Sequence, residues 1–120
     1  MKLLKAVITL TIITLSITTS VKAEEATPQA DALAKGKELT FNRRKGNCLA
    51  CHMIDDGPLA GNVAPPLIAM KARFPDRAVL REQIWDATIR NPLSVMPPFG
   101  KHGILTEQEV DLVVDYVHSL

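Results

Sequence analysis

Cys48-Leu49-Ala50-Cys51-His52 is the stretch of the chain best equipped for chemistry. Two thiols three residues apart, followed at once by an imidazole, form the C-x-x-C-H pattern of covalent c-type haem attachment. The spacing has a physical logic. Cys48 and Cys51 can form thioethers to the two vinyl groups on one edge of a haem, and that tether brings His52 beneath the iron as an axial nitrogen ligand. Other uses of a C-x-x-C pair fit less well. Structural zinc takes about four ligands, whereas the chain has two cysteines, with His102 and His118 in no ligand-pair spacing with the motif. A redox dithiol of the thioredoxin kind would sit in a βαβ pattern, and none is visible.

The second axial ligand is expected to be Met96, forty-four residues after His52 in Met96-Pro97-Pro98-Phe99-Gly100. A thioether is a soft, neutral ligand, and His/Met ligation raises the reduction potential of haem iron. The two prolines behind Met96 stiffen the backbone that holds it. Three rivals stay open. Met53 adjoins His52 and cannot easily reach the opposite face, and Met70 falls in an expected helix, where methionine usually fills core gaps. His102 is near enough to compete, and His/His ligation would give a lower potential. A filled pair of axial sites leaves no open iron position, which favours electron transfer over haem catalysis. A five-coordinate, gas-binding haem is the alternative. A ligating histidine normally donates its other ring N–H to an acceptor, and the carbonyl of Pro65 or Pro66 can serve.

These residues need elements to place them, and the pattern is helical. Glu24 to Ala30 is polar and expected to be a loose leader, with a short helix from Asp31 carrying Leu33, Gly36 and Leu39 on one face. Gly36 inside it points to close packing against another helix. Residues 42–47 are basic and turn-rich, most simply a solvated loop, although a docking patch is possible. Residues 55–66 are rich in Gly and Pro and read as loop. A short helix is expected over 67–73, opened by Pro66. Asp76 is a natural N-cap for a helix over 77–90, ended by Asn91-Pro92. Thr106 and Glu109 form a capping box, with Leu105 and Val110 at the positions of a hydrophobic staple. Val110, Val113, Val114 and Val117 then share one face of the last helix. No strand-like alternation of useful length occurs, so the fold expected is all-α.

Lys2 and Lys5 precede a short apolar run, and Val21-Lys22-Ala23 closes it. Residues 1–23 are therefore expected to be a cleaved signal peptide and 24–120 the mature domain. The run is peppered with Thr and Ser and falls short of the ~20 apolar residues of a spanning helix. No cysteine precedes Cys48, so no membrane anchor is expected after processing. Export agrees with covalent haem attachment, a task performed outside the cytoplasm, and the expected location is the periplasm. Loss of Lys2, Lys5 and Lys22 leaves eleven basic against thirteen acidic residues, about −2. That balance argues against nucleic acid as a partner. The mature domain is small and poor in aromatics, so its own core is marginal. A buried haem would supply the missing apolar centre.

Taken together, the C-x-x-C-H motif, Pro65-Pro66-Leu67, the Met96-Pro97 loop and a last helix ending Asp115-Tyr116-Val117 resemble a small class I cytochrome c domain. That resemblance implies a few helices wrapped around one covalent haem c, with Pro65 giving its carbonyl to His52. It also implies a tight crossing of the first and last helices through Gly36 and Tyr116. The approach from Phe41 to Cys48 is longer than that fold usually has, and Ala64 stands where it usually has Gly. Residues 44–52, 65–75 and 83–102 more narrowly resemble the SoxX family, the smaller subunits of SoxAX complexes. The likeness runs from about Leu33 to Tyr116. It implies a complex that oxidatively joins thiosulfate to a cysteine of a SoxYZ carrier protein, an L-cysteine S-thiosulfotransferase. The reactive haem would lie on a SoxA partner, and the SoxX haem would pass electrons to a soluble cytochrome c acceptor. No catalytic residue is then expected on this chain, and no third cysteine is present for sulfur transfer. The competing reading is a free-standing periplasmic electron carrier. A permanent subunit would show an apolar patch of interface size beside the haem edge, and Pro97, Pro98, Phe99 and Ile104 are suggestive of one.

Overall fold

The computed structural model describes residues 27–55 and 57–120; the expected signal peptide lies outside them. Among the described residues four α-helices carry the fold, in the order α1 (Pro28–Phe41), α2 (Met70–Arg73), α3 (Arg77–Trp85) and α4 (Glu107–His118). Single 3₁₀ turns occupy Cys48–Ala50 and Ala87–Ile89. No strand occurs among the described residues, and the all-α expectation holds.

Helix α1 starts three residues earlier than its apolar spacing implies. Thr27 caps it, Oγ1 accepting from the Ala30 N–H at 3.3 Å, and Pro28 takes the first turn. A proline there loses nothing, because that N–H has no partner inside a helix. Gly36 sits where α1 crosses α4: a Cβ would run into the Leu112 carbonyl oxygen and lie 2.8 Å from Tyr116 Cβ. Phe41 then meets Tyr116 edge-on, with ring centroids 6.1 Å apart. The expected tight crossing is present.

Helix α4 is capped as its sequence implies. Thr106 Oγ1 accepts from the Glu109 N–H at 3.2 Å, and Glu109 Oε2 accepts from the Thr106 N–H at 2.9 Å. Val110, Val113, Val114 and Val117 are buried, and Leu105 is buried with them. Lys45 pairs with Glu109 at 2.8 Å and ties the turn before the motif to the start of α4.

Two helices are shorter than expected. The segment from Leu67 does not open a helix, because its N–H donates to the Met53 carbonyl at 2.9 Å and Ala69 is left-handed at φ 49°. Only Met70–Arg73 closes a helical turn. Helix α3 begins at the Asp76 cap, as expected, but stops at Trp85 rather than Arg90. Asp86 is extended there, and its carboxylate accepts from the Thr88 N–H at 3.0 Å. A side chain that offers the backbone another partner competes with the helix ladder. Asp86 thus ends one helix and caps the next turn. Arg77 reaches Asp115 at 2.6 Å and Arg81 reaches Asp111 at 2.8 Å, so α3 is fastened along α4. Residues 91–105 pass irregularly from α3 to α4 and carry Met96.

Candidate haem site

The 3₁₀ turn Cys48–Ala50 is the local device that presents the motif. Asn47 precedes it in the left-handed region at φ 48°, which an asparagine tolerates better than most side chains. The Ala50 N–H returns to the Asn47 carbonyl at 3.0 Å, and the His52 N–H to the Cys48 carbonyl at 2.8 Å. Cys48, Cys51 and His52 thereby line one wall of a single cavity of about 750 Å³. Burial pushes the Cys48 thiol up to about 11, so before attachment it is held as the neutral thiol.

His52 Nδ1 lies 2.6 Å from the Pro65 carbonyl oxygen. A carbonyl can only accept, so Nδ1 carries the proton and Nε2 keeps its lone pair for a metal. Pro66 is differently engaged, its carbonyl accepting from Arg73 Nη1 at 2.7 Å. Between the two prolines, the structure puts the histidine's partner at Pro65.

Met96 lines the same cavity, with Pro97 and Phe99 beside it. The Met96 N–H donates to Ser94 Oγ at 3.2 Å. The other candidate ligands are placed differently. Met53 and His102 do not line the cavity, and both are exposed. Met70 does line it, but it is buried in the core, with its sulfur 3.5 Å from Arg73 Nη1. His118 is occupied elsewhere, its Nε2 2.9 Å from the Phe74 carbonyl oxygen. Among the described residues, no three His, Cys, Asp or Glu side chains come together as a metal cluster.

Leu67, Phe74, Leu80, Ile84, Leu105, Val113 and Val117 give the lining an apolar part, from α3, α4 and the segments before each of them. Its volume falls within the ~300–1,000 Å³ range of cofactor pockets. Two thiols, one tautomerically fixed imidazole, one thioether and apolar walls are the donor set that a covalent haem requires. Arg43, Arg44 and Arg73 add cationic groups to the lining. Sequence reasoning left Arg73 and Ser94 out of the site, and it gave no role to the Asp86–Lys101 pair at the ends of the segment that carries Met96. Only the Asp86-x-Thr88 pattern of a side-chain-capped turn could have drawn notice to Asp86.

Comparison with known proteins agrees with this chemistry. Residues 31–117 match the family described as cytochrome c oxidase, cbb3-type, subunit III. An uncharacterized lipoprotein of Aquifex aeolicus (strain VF5) is 38% identical over 77 residues, 63% of this chain and 37% of the relative. The chain therefore spans little more than a third of that relative's length.

Proposed function

The chain belongs to the cytochrome c family of cbb3-type oxidase subunit III and carries the covalent haem c that its Cys48-x-x-Cys51-His52 motif fits; from its SoxX-like residues we propose that it is the electron-transfer subunit of a periplasmic, SoxAX-like complex. That complex would oxidatively couple thiosulfate to a cysteine on a SoxYZ-like carrier. A SoxA-like partner would hold the reactive centre, and this chain would relay the electrons to a soluble cytochrome.

One observation carries the electron-transfer reading: His52 and Met96 line the same cavity, and the chain has no thiol beyond Cys48 and Cys51. When bound, the haem supplies one-electron chemistry. The chain's residues do the rest. Cys48 and Cys51 tether the group, and Pro65 holds the His52 tautomer. Met96 would supply a soft thioether donor, which would favour the reduced state. Apolar side chains such as Leu80, Ile84, Val113 and Val117 would pack against the haem. His52 and Met96 would hold the iron and Cys48 and Cys51 the haem edge, which would leave no protein thiol for sulfur transfer.

The narrower reading rests on the SoxX-like residues and on the mouth of the cavity, where Leu93 and Val95 flank the Met96 loop at 88% and 97% exposure. Side chains of this kind suit a lasting subunit contact. Arg43 and Arg44, also exposed and in the cavity lining, favour instead a free-standing carrier that meets acidic partners transiently. The Aquifex relative's name, a lipoprotein, fits an exported, membrane-anchored form of that protein, whereas this chain is proposed to be released into the periplasm after cleavage near residue 23. Purification from the native periplasm, with identification of whatever co-elutes, tests the proposal. Stoichiometric recovery with a second cytochrome subunit is expected. A monomer with no companion would favour the carrier, and an intact Met1 in the membrane fraction would refute the processing.

A further inference from the structure

We propose that Asp86 is the clamp of the Met96 loop, one carboxylate that fastens both stems of the segment and sets how firmly the Met96 thioether is held at the iron. The inference rests on the reading of Met96 as a ligand. At the entering stem, Asp86 Oδ1 accepts from the Thr88 N–H at 3.0 Å and from the Thr88 hydroxyl, which shapes the Ala87–Ile89 turn. The Asn91 N–H returns to the Ala87 carbonyl at 3.1 Å and launches the loop. At the leaving stem, Lys101 Nζ reaches the other carboxylate oxygen at 2.7 Å. The Gly100 and Lys101 N–H groups also converge on the carbonyl of Trp85, the residue just before Asp86, at 3.2 and 3.3 Å. Gly100 lies under the Trp85 ring, which a Cβ would strike.

Between these stems Met96 is partly buried and packs against the core, but among the described residues no backbone hydrogen bond joins it to a helix. Its N–H is held by Ser94 Oγ, and its neighbour Val95 is exposed. A neutral thioether bound to iron is a weak link, so its strength depends on how far the loop can move. Asp86 is 3% exposed, unlike an ordinary surface partner of a lysine. Neither Asp86 nor Lys101 lines the cavity. They are positioning residues that act on the iron only through the loop.

A plain helix cap would work as well with asparagine, whose side-chain oxygen still accepts from Thr88. The clamp needs the charge. The test compares haem-loaded wild type with Asp86→Asn, Lys101→Met and Lys101→Arg. Amide exchange is followed at Gly100, Lys101 and Leu105, together with the thioether–iron charge-transfer band and the reduction potential. Asp86→Asn and Lys101→Met should raise exchange at these amides about tenfold, as expected for loss of a charge-assisted bond. Exchange in α4 should rise less than in the loop while the band weakens and the potential falls. Lys101→Arg should stay close to wild type. The proposal is overturned if loop exchange is unaltered, or rises equally in α4. It is also overturned if the loop loosens while band and potential hold. Met96→Leu run alongside separates the two ideas: a band that survives it refutes the ligand, while the exchange data still judge the clamp.

Discussion

At His52 a single backbone carbonyl decides which ring nitrogen is left for the metal, and at Met96 a hydroxyl and two prolines decide where the thioether can stand. Neither decision is visible as spacing. Pro65 and Pro66 are adjacent and both offer carbonyls, and only the fold sends one to His52 and the other to Arg73. Met96 and His102 lie six residues apart on one loop, and the chain's path puts the first on the cavity wall and the second in solvent. The two thiols and the imidazole were legible because their geometry is local, set by one turn of backbone. Met96→Leu should therefore abolish the thioether–iron charge-transfer band of the oxidised protein and lower its potential, since the remaining ligand set is harder. His102→Ala should leave both unchanged. Visible spectroscopy and a redox titration of the two variants check this, and the opposite pattern would move the sixth ligand to His102.

The elements were legible wherever the pattern is periodic and capped, as in α4, whose box and valine face stand in the sequence as they do in the fold. They were less so where a polar side chain overrides the period. Thr27 starts α1 inside a stretch that reads as leader, and Asp86 stops α3 where Leu80, Ile84 and Ala87 would continue its face. The same acidic groups make the assembly of helices pH-dependent. Lys101, then Thr88, hold the Asp86 carboxyl down from its ordinary 3.8 to about 2. Lys45 lowers Glu109 and Arg81 lowers Asp111. A carboxylate depressed in the folded state stabilises that state above its unfolded pKa and loses the contribution as pH falls through the folded value. Stability should thus drop between about pH 4 and about pH 2, the range set by these groups. Urea midpoints measured across that range should fall steadily, and Asp86→Asn should flatten part of the fall. A midpoint indifferent to pH there would contradict the ion-pair account.

On the scale of the molecule, the cavity is the missing core. Leu80, Ile84, Val113 and Val117 give the cavity of about 750 Å³ apolar surface that a haem would cover, and small domains have only about 5–15 kcal/mol of stability, so that burial weighs heavily in the fold. The Cys48→Ala/Cys51→Ala variant should accordingly lose covalent haem and with it most cooperative structure, shown by acid–solvent extraction of the haem and a flattened thermal transition in circular dichroism. A haem-free variant with a native, sharp transition would contradict that. What the sequence showed of the whole was its need for such a filler: few aromatics and a marginal core. What it could not show was the wall itself, which α3, α4 and two loops build together. The proposed role rests on the same architecture, in which Cys48, Cys51, His52 and Met96, the groups that would hold the haem, all line one cavity. The most direct test is thiosulfate-dependent reduction of a soluble cytochrome c, with this chain, a SoxA-like partner and a thiol-bearing carrier each omitted in turn. The isolated chain should exchange electrons with the cytochrome but oxidise no thiosulfate, and turnover should need all three components. Sustained turnover by this chain alone, or full turnover without it, would contradict the account.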